Sequence, residues 1–249
     1  MTGVKLEVCV DTLASLVAAK NGGADRVELC SALNDGGLTP SAGFMKTAAT
    51  SGIEAHAMIR PRNGSFCYSA PEVEIMCDDI AQVRQSGLAG VVFGVANDNF
   101  ELDVKTLAIL ADKSGSLEKT LHRVIDMTPD PLKAVDQAIE LGMTRILTSG
   151  GEKDAKRGIP TIAKMIERAA GRIEIMPGSG IHPANVEEIL NRTNARSVHA
   201  SCANWLKSST GRLESMGFAH QMGVRETTLS TVEQLRSCID EFANEVQNV

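Results

Sequence analysis

Eight times along 249 residues a short apolar run gives way to a segment with helical periodicity, and this alternation constrains the fold more than any other feature. The runs are LEVCV (6–10), RVELC (26–30), EAHAMIR (54–60), GVVFGV (90–95), EKTLHRV (118–124), RILTSG (145–150), EIMPGSG (174–180) and SVHASC (197–202). Amphipathic stretches such as DPLKAVDQAIELG (130–142) and HPANVEEILNRTN (182–194) follow them. Asp130 before Pro131, Pro183 at a first helical position and the box Ser230-x-x-Glu233 mark helix starts. Gly22, Gly52, Gly87 and Gly142 mark helix ends. Parallel strands need such crossovers, and eight units in a chain of this length predict a single (β/α)8 TIM barrel. No linker or composition break divides residues 1–249, which read as one domain. The exception to compactness is 203–226, a length at which βα loops are functional or mobile.

Strand side chains alternate faces, so parity separates the helix-facing residues from those on the barrel axis. Leu6, Val8 and Val10 suit the helix layer, which turns Glu7 and Cys9 inward. Val27 and Leu29 do the same for Glu28 and Cys30, and Ala57 and Ile59 for His56, Met58 and Arg60. Leu121 places His122 inward, and Val198 with Ala200 place His199 and Ser201 there. A structural barrel interior is dominated by Val, Ile and Leu. This one gathers glutamates, histidines, cysteines and an arginine, with Arg60, Glu28 and Glu7 able to compensate one another. Such a set is either a buried ion-pair network or a functional site.

Composition narrows the partners. Net charge is −6 with both signs interspersed and aromatics at 3%, which argues against a nucleic-acid surface. No apolar run approaches the roughly 20 residues of a membrane span, and the first residues lack a signal-peptide pattern. Six scattered cysteines without a C-x-x-C pair read as reduced thiols of a cytosolic protein. Cys9 and Cys30 end neighbouring strands and can hold a soft ion such as Cu(I), or pack as small hydrophobes. Cys67 and Cys202 lie near the same face. TSGG (148–151) and PGSG (177–180) end two strands with glycine, which serves tight turning or the approach of phosphate oxygens to bare N–H groups.

The fragments EVC (7–9), GGADRVELC (22–30), GGLTPS (36–41), MIRPR (58–62), FCYS (66–69), HR (122–123), DM (126–127), ILTSG (146–150) and PGSGI (177–181) carry a resemblance to the CutC family, in order over about residues 6–202. The resemblance implies a TIM barrel, a cytosolic location, a homodimer and the family's label of copper homeostasis. LHRVIDM stands where the family has FHRAFDM, and RPRNGSF where it has RPRGGDF. The family's YRN-like segment is missing from LKSSTGRLESMGFAH (206–220), so the departures fall on the rim.

Two functions follow. One is a copper-handling protein binding Cu(I) at Cys9 and Cys30. The other is an enzyme of unassigned reaction on a small anionic or phosphorylated substrate. Its catalytic candidates are Glu7, Glu28, Arg60, His122 and His199, and its substrate-binding candidates Arg62, Ser149, Gly178, Gly180 and Ser201. In that second reading Arg60, Gly178, Gly180 and the N-terminus of a short helix after strand eight converge on one anion.

Overall fold

The computed structural model describes residues 3–206, 211–217 and 224–247. Its parallel strands are β1 (Lys5–Val10), β2 (Arg26–Leu29), β3 (Glu54–Met58), β4 (Gly90–Phe93), β5 (Glu118–Leu121), β6 (Arg145–Thr148), β7 (Glu174–Pro177) and β8 (Ser197–Ala200). Between them lie α1 (Leu13–Asn21), α2 (Ala42–Ala49), α3 (Ala70–Ser86), α4 (Val104–Ser114), α5 (Pro131–Glu140), α6 (Ala155–Ala169) and α7 (Val186–Thr193). The order of hydrogen-bonded neighbours is β7-β6-β5-β4-β3-β2-β1-β8, and a bridge between Gly178 and His199 brings β8 back to β7. This is a (β/α)8 TIM barrel.

Parity sorted the strands as expected. Leu6, Val8, Val10, Val27, Leu29, Ala57, Ile59, Leu121, Val198 and Ala200 are all buried in one core between barrel and helices. A smaller apolar cluster of Cys30, Met58 and Val92 sits apart from it. Strands end earlier than the apolar runs, because their last residues turn into loops. After β5, residues Arg123–Met127 form a 3-10 turn instead of more strand.

Three local expectations change. Asp130 caps α5 by accepting from the Leu132 and Lys133 amides, as read, but α7 starts at Val186 and not at Pro183. Asn185 folds the preceding turn, accepting from the His182 amide at 2.9 Å and donating to the Gly180 carbonyl at 2.8 Å. Helix α9 (Leu229–Gln247) begins one residue before Ser230, so that serine is not its N-cap. Within 203–226, the described residues form an antiparallel pair, β9 (Ala203–Leu206) with β10 (Val224–Thr227), and a short helix, α8 (Gly211–Ser215). Positions 207–210 and 218–223 of that stretch lie outside the described residues. No helix of the described residues is long and apolar enough to cross a membrane.

The crossing of α6 over the β6 loop sets a strict limit on side-chain volume. A Cβ on Gly158 would lie 1.7 Å from the Ser149 carbonyl oxygen, and one on Gly150 would lie 2.5 Å from the Gly158 oxygen. Both obstacles are backbone and cannot swing aside. Gly158→Ala is expected to cost about 3 kcal/mol or more in urea denaturation. Gly43→Ala, in α2 with its nearest obstacle at 4.0 Å, is expected to be neutral or to stabilise by about 0.5–1 kcal/mol. Equal effects at the two positions would refute the crowding argument.

Candidate functional site

The polar interior begins at the N-terminal end of the barrel. Register sets Glu7 opposite Arg26, Glu28 opposite His56 and Arg145 opposite Glu174. Arg26, buried to 1% exposure, pairs with Glu7 and reaches Glu54 at 3.3 Å. Arg145 bridges Glu118 at 3.1 Å and Glu174 at 2.8 Å. His56, fully buried, lies 3.3 Å from Glu54 and 3.7 Å from Glu118. Neither of its ring nitrogens has a hydrogen bond of good geometry. The sequence reading had Arg60 compensating Glu7 and Glu28. The structure gives Glu7 to Arg26 instead, a residue whose parity with Glu28 already marked it as inward.

Above this belt Glu7 holds His199, with Oε1 2.7 Å from Nδ1. The other ring nitrogen, Nε2, is 3.8 Å from Glu28 Oε2. The Cys30 thiol donates to the same Glu28 oxygen at 3.6 Å, and Glu28 Oε1 is buried without a partner. Cys9, Glu28 and His199 present one ligand atom each, all within 4.8 Å of one another. Cys30 is outside that mutually close set. Register explains this: Cys9 faces Glu28, so Cys30 sits a full pleat further along β2 and does not face Cys9 directly.

Ionisation follows from burial and neighbours. Burial works to raise Glu7, yet Arg26 and His199 hold it far below the usual carboxylate range. Burial lifts Glu28 from 4.5 to about 7, with the Glu7 charge adding to the lift and His199 opposing it. For His199 burial works downward, but Cys9, Glu7 and Glu28 together hold it well above the usual imidazole value. Burial, with Glu28 beside it, pushes the Cys30 thiol well up. Cys202, buried near Cys9, is pushed up to about 12.

Arg60 and His122 form a separate group. Arg60 is buried, but its guanidinium donates to the carbonyls of Asp35, Gly37 and Gly64 at 3.0–3.1 Å and lies over the Phe66 ring. Phe66 in turn packs on His122, with ring centroids 4.8 Å apart. The His122 ring accepts the Val124 amide at Nδ1, so when neutral it carries its proton on Nε2, which is buried and unpartnered. Arg62 pairs with Glu72 and donates to the Cys67 carbonyl at 2.7 Å, so it ties down its own loop.

A cavity of about 460 Å³ opens at the C-terminal end of the barrel. Gly180, Ser201, Cys9 and His199 line it, whereas Gly178, Arg60 and α8 do not, so the expected convergence on Arg60 does not occur. Its arginines are Arg123 and Arg225, which sequence reasoning missed. Arg225 donates to Ser201 Oγ at 3.1 Å. Arg123 pairs with Asp126 at 2.8 Å and donates to Ser149 Oγ at 2.7 Å. Asp126 also accepts from the amides of Ser149 and Gly151, so Ser149 helps fix this loop. The signal for Arg123 and Asp126 was present only as fragments of the family resemblance.

The CutC family model matches residues 4–204. Proteins named as CutC in Sinorhizobium medicae and Caulobacter vibrioides are each 45% identical. The first covers 98% of this chain and 99% of its own length, the second 93% and 95%. A solved Streptococcus agalactiae structure, named for copper homeostasis and CutC, superposes with a TM-score of 0.76 at 33% identity. It covers 80% of this chain and 98% of that one. A thiamine phosphate pyrophosphorylase from Pyrococcus furiosus matches at a TM-score of 0.60 with 15% identity over 96% of each chain, a likeness of fold alone.

Burial, aided by the Arg60 charge, holds His122 at about 3 instead of the usual 6.5. The unfolded chain therefore binds one more proton than the folded protein between those values. Stability is lost over that window as pH falls, by up to about 1.4 kcal/mol per pH unit. His122→Asn keeps an acceptor for the Val124 amide and removes the titration. Its unfolding free energy, followed in urea from pH 7 to pH 4, is expected to fall with a slope shallower by that amount. Parallel slopes would show that His122 is not held neutral.

Proposed function

The chain belongs to the CutC family, and from that footing we propose that it handles copper by binding Cu(I) inside the barrel, at Cys9 and His199 with Glu28 and Cys30 beside them. The observation that carries this reading is the Glu7–His199 contact. A carboxylate on one imidazole nitrogen fixes the ring and leaves the other nitrogen for a metal, the usual support of a ligating histidine. Here that free nitrogen lies among a thiol and a carboxylate whose second oxygen has no partner. Thiolate and imidazole suit a soft monovalent copper ion. Binding takes the proton from the coordinating thiol and from His199, so uptake releases protons and weakens as pH falls. The arginine nearest the donors by sequence pairing, Arg26, is already matched by Glu7 and does not add an uncompensated positive charge.

The donor set makes a graded prediction. In Cu(I) titrations against a competing chelator under reducing conditions, Cys9→Ser is expected to lower affinity by about 100-fold or more. Glu7→Gln, which touches no metal, is expected to lower it by about 10–100-fold through the orientation of His199. Cys238→Ser, on α9, is expected to leave it unchanged. Affinity insensitive to both Cys9 and His199 substitution would remove this pocket as the copper site.

A further inference from the structure

We infer that the C-terminal cavity is a binding site for a small phosphorylated molecule, whose phosphate sits between Arg123, Arg225 and the turn after β7. The chain carries a net charge of −6, yet none of the residues lining this cavity is acidic. They include two arginines and two histidines: Arg123, Arg225, His182 and His199. Asp126, outside the lining, matches Arg123 at 2.8 Å, so the positive charge unmatched among the described residues is that of Arg225, with Arg123 adding donors; such a lining in an acidic protein favours anions.

The backbone adds donors. Ser179 and Gly180 both adopt left-handed φ, at 76° and 70°, which for Ser179 is a strained conformation. Asn185 ties down this turn through the Gly180 carbonyl and the His182 amide. The amides of Gly180 and Ile181, which line the cavity, have no acceptor among the described residues. Donors thus come from the β5 side, the β7 turn and β10. One guanidinium fork satisfies a planar carboxylate, whereas donors from three sides suit a tetrahedral dianion. Volume gives the rest. About 460 Å³ lies within the ~300–1,000 Å³ of small-molecule sites, far above the need of a phosphate alone. Leu147, Ile181, Pro183 and Leu235 supply apolar wall for an organic part.

The test uses full-length, copper-free protein with reductant, and two probes, inorganic phosphate and glycerol 3-phosphate, in calorimetric titration at fixed ionic strength. Both are expected to bind, the ester more tightly. Arg225→Gln is expected to weaken each by about tenfold or more. Arg192→Gln, which removes the same charge from α7 outside the cavity, is expected to change neither. Circular dichroism of each variant without ligand checks its fold, and a loss of Cu(I) affinity in Arg225→Gln much smaller than its loss of phosphate affinity separates this site from the copper reading. Tighter phosphate than ester still supports a phosphate site, with the free ion as its ligand. Equal loss in the two variants, no loss in Arg225→Gln, or tighter binding of malonate than of either phosphate would overturn the inference.

Discussion

The interior of this barrel depends on one ion pair, Arg26 with Glu7. Both residues are about 1% exposed, and an ion left alone there would cost several kcal/mol. Register makes the pairing unavoidable, since Glu7 and Arg26 face each other across β1 and β2. With Arg26 in place Glu7 stays charged, and a charged Glu7 can hold the His199 ring by Nδ1. That contact decides which nitrogen faces Glu28 and the Cys9 thiol. Take away Arg26 and Glu7 becomes a buried carboxylate that must protonate or drag in water, and the ring loses its anchor. The chemistry at the upper end of the barrel is therefore set from its base.

How much of this was readable depended on how far each clue extends along the chain. Alternation is local, so the eight strands and their inward residues followed from the sequence alone. Arg26 was open to the same reasoning, since it opens the run RVELC two residues before Glu28 and shares its parity. Arg60 is a different case. Parity says which side of a strand a residue leaves, but a long side chain at a strand end can turn upward, and three loop carbonyls took up this one. The cavity had no local signature at all. Arg123 and Arg225 stand 102 positions apart, and only barrel closure together with the β9–β10 pairing brings both to one wall.

Charge is layered along the barrel axis. Carboxylates and arginines alternate at the N-terminal belt, where Arg26 and Arg145 are each flanked by acids. Next comes a zone with Glu7, Glu28, His199 and the thiols, in which acidic groups outnumber the cations. The mouth above it is basic. Cys9 and His199 belong to both of the upper zones, since each is a member of the donor set and part of the cavity lining.

That overlap bears on how the proposed Cu(I) donor set would work beneath a basic mouth. Cu(I) held by a Cys9 thiolate and a Glu28 carboxylate would carry a net charge of −1, with Arg26 already matched by Glu7. A negative centre in a low-dielectric interior is stabilised by nearby guanidinium groups, provided they do not compete as ligands, and guanidinium cannot donate a lone pair. Arg123 and Arg225 meet both conditions. They would oppose a free cation at the entrance, yet favour a loaded, anionic complex behind it. The same two groups would hold the phosphate inferred for the cavity. If both proposals hold, metal and phosphate would draw on one positive potential, so occupation of either site would weaken the other, and the linkage would be reciprocal because it is a single coupling free energy.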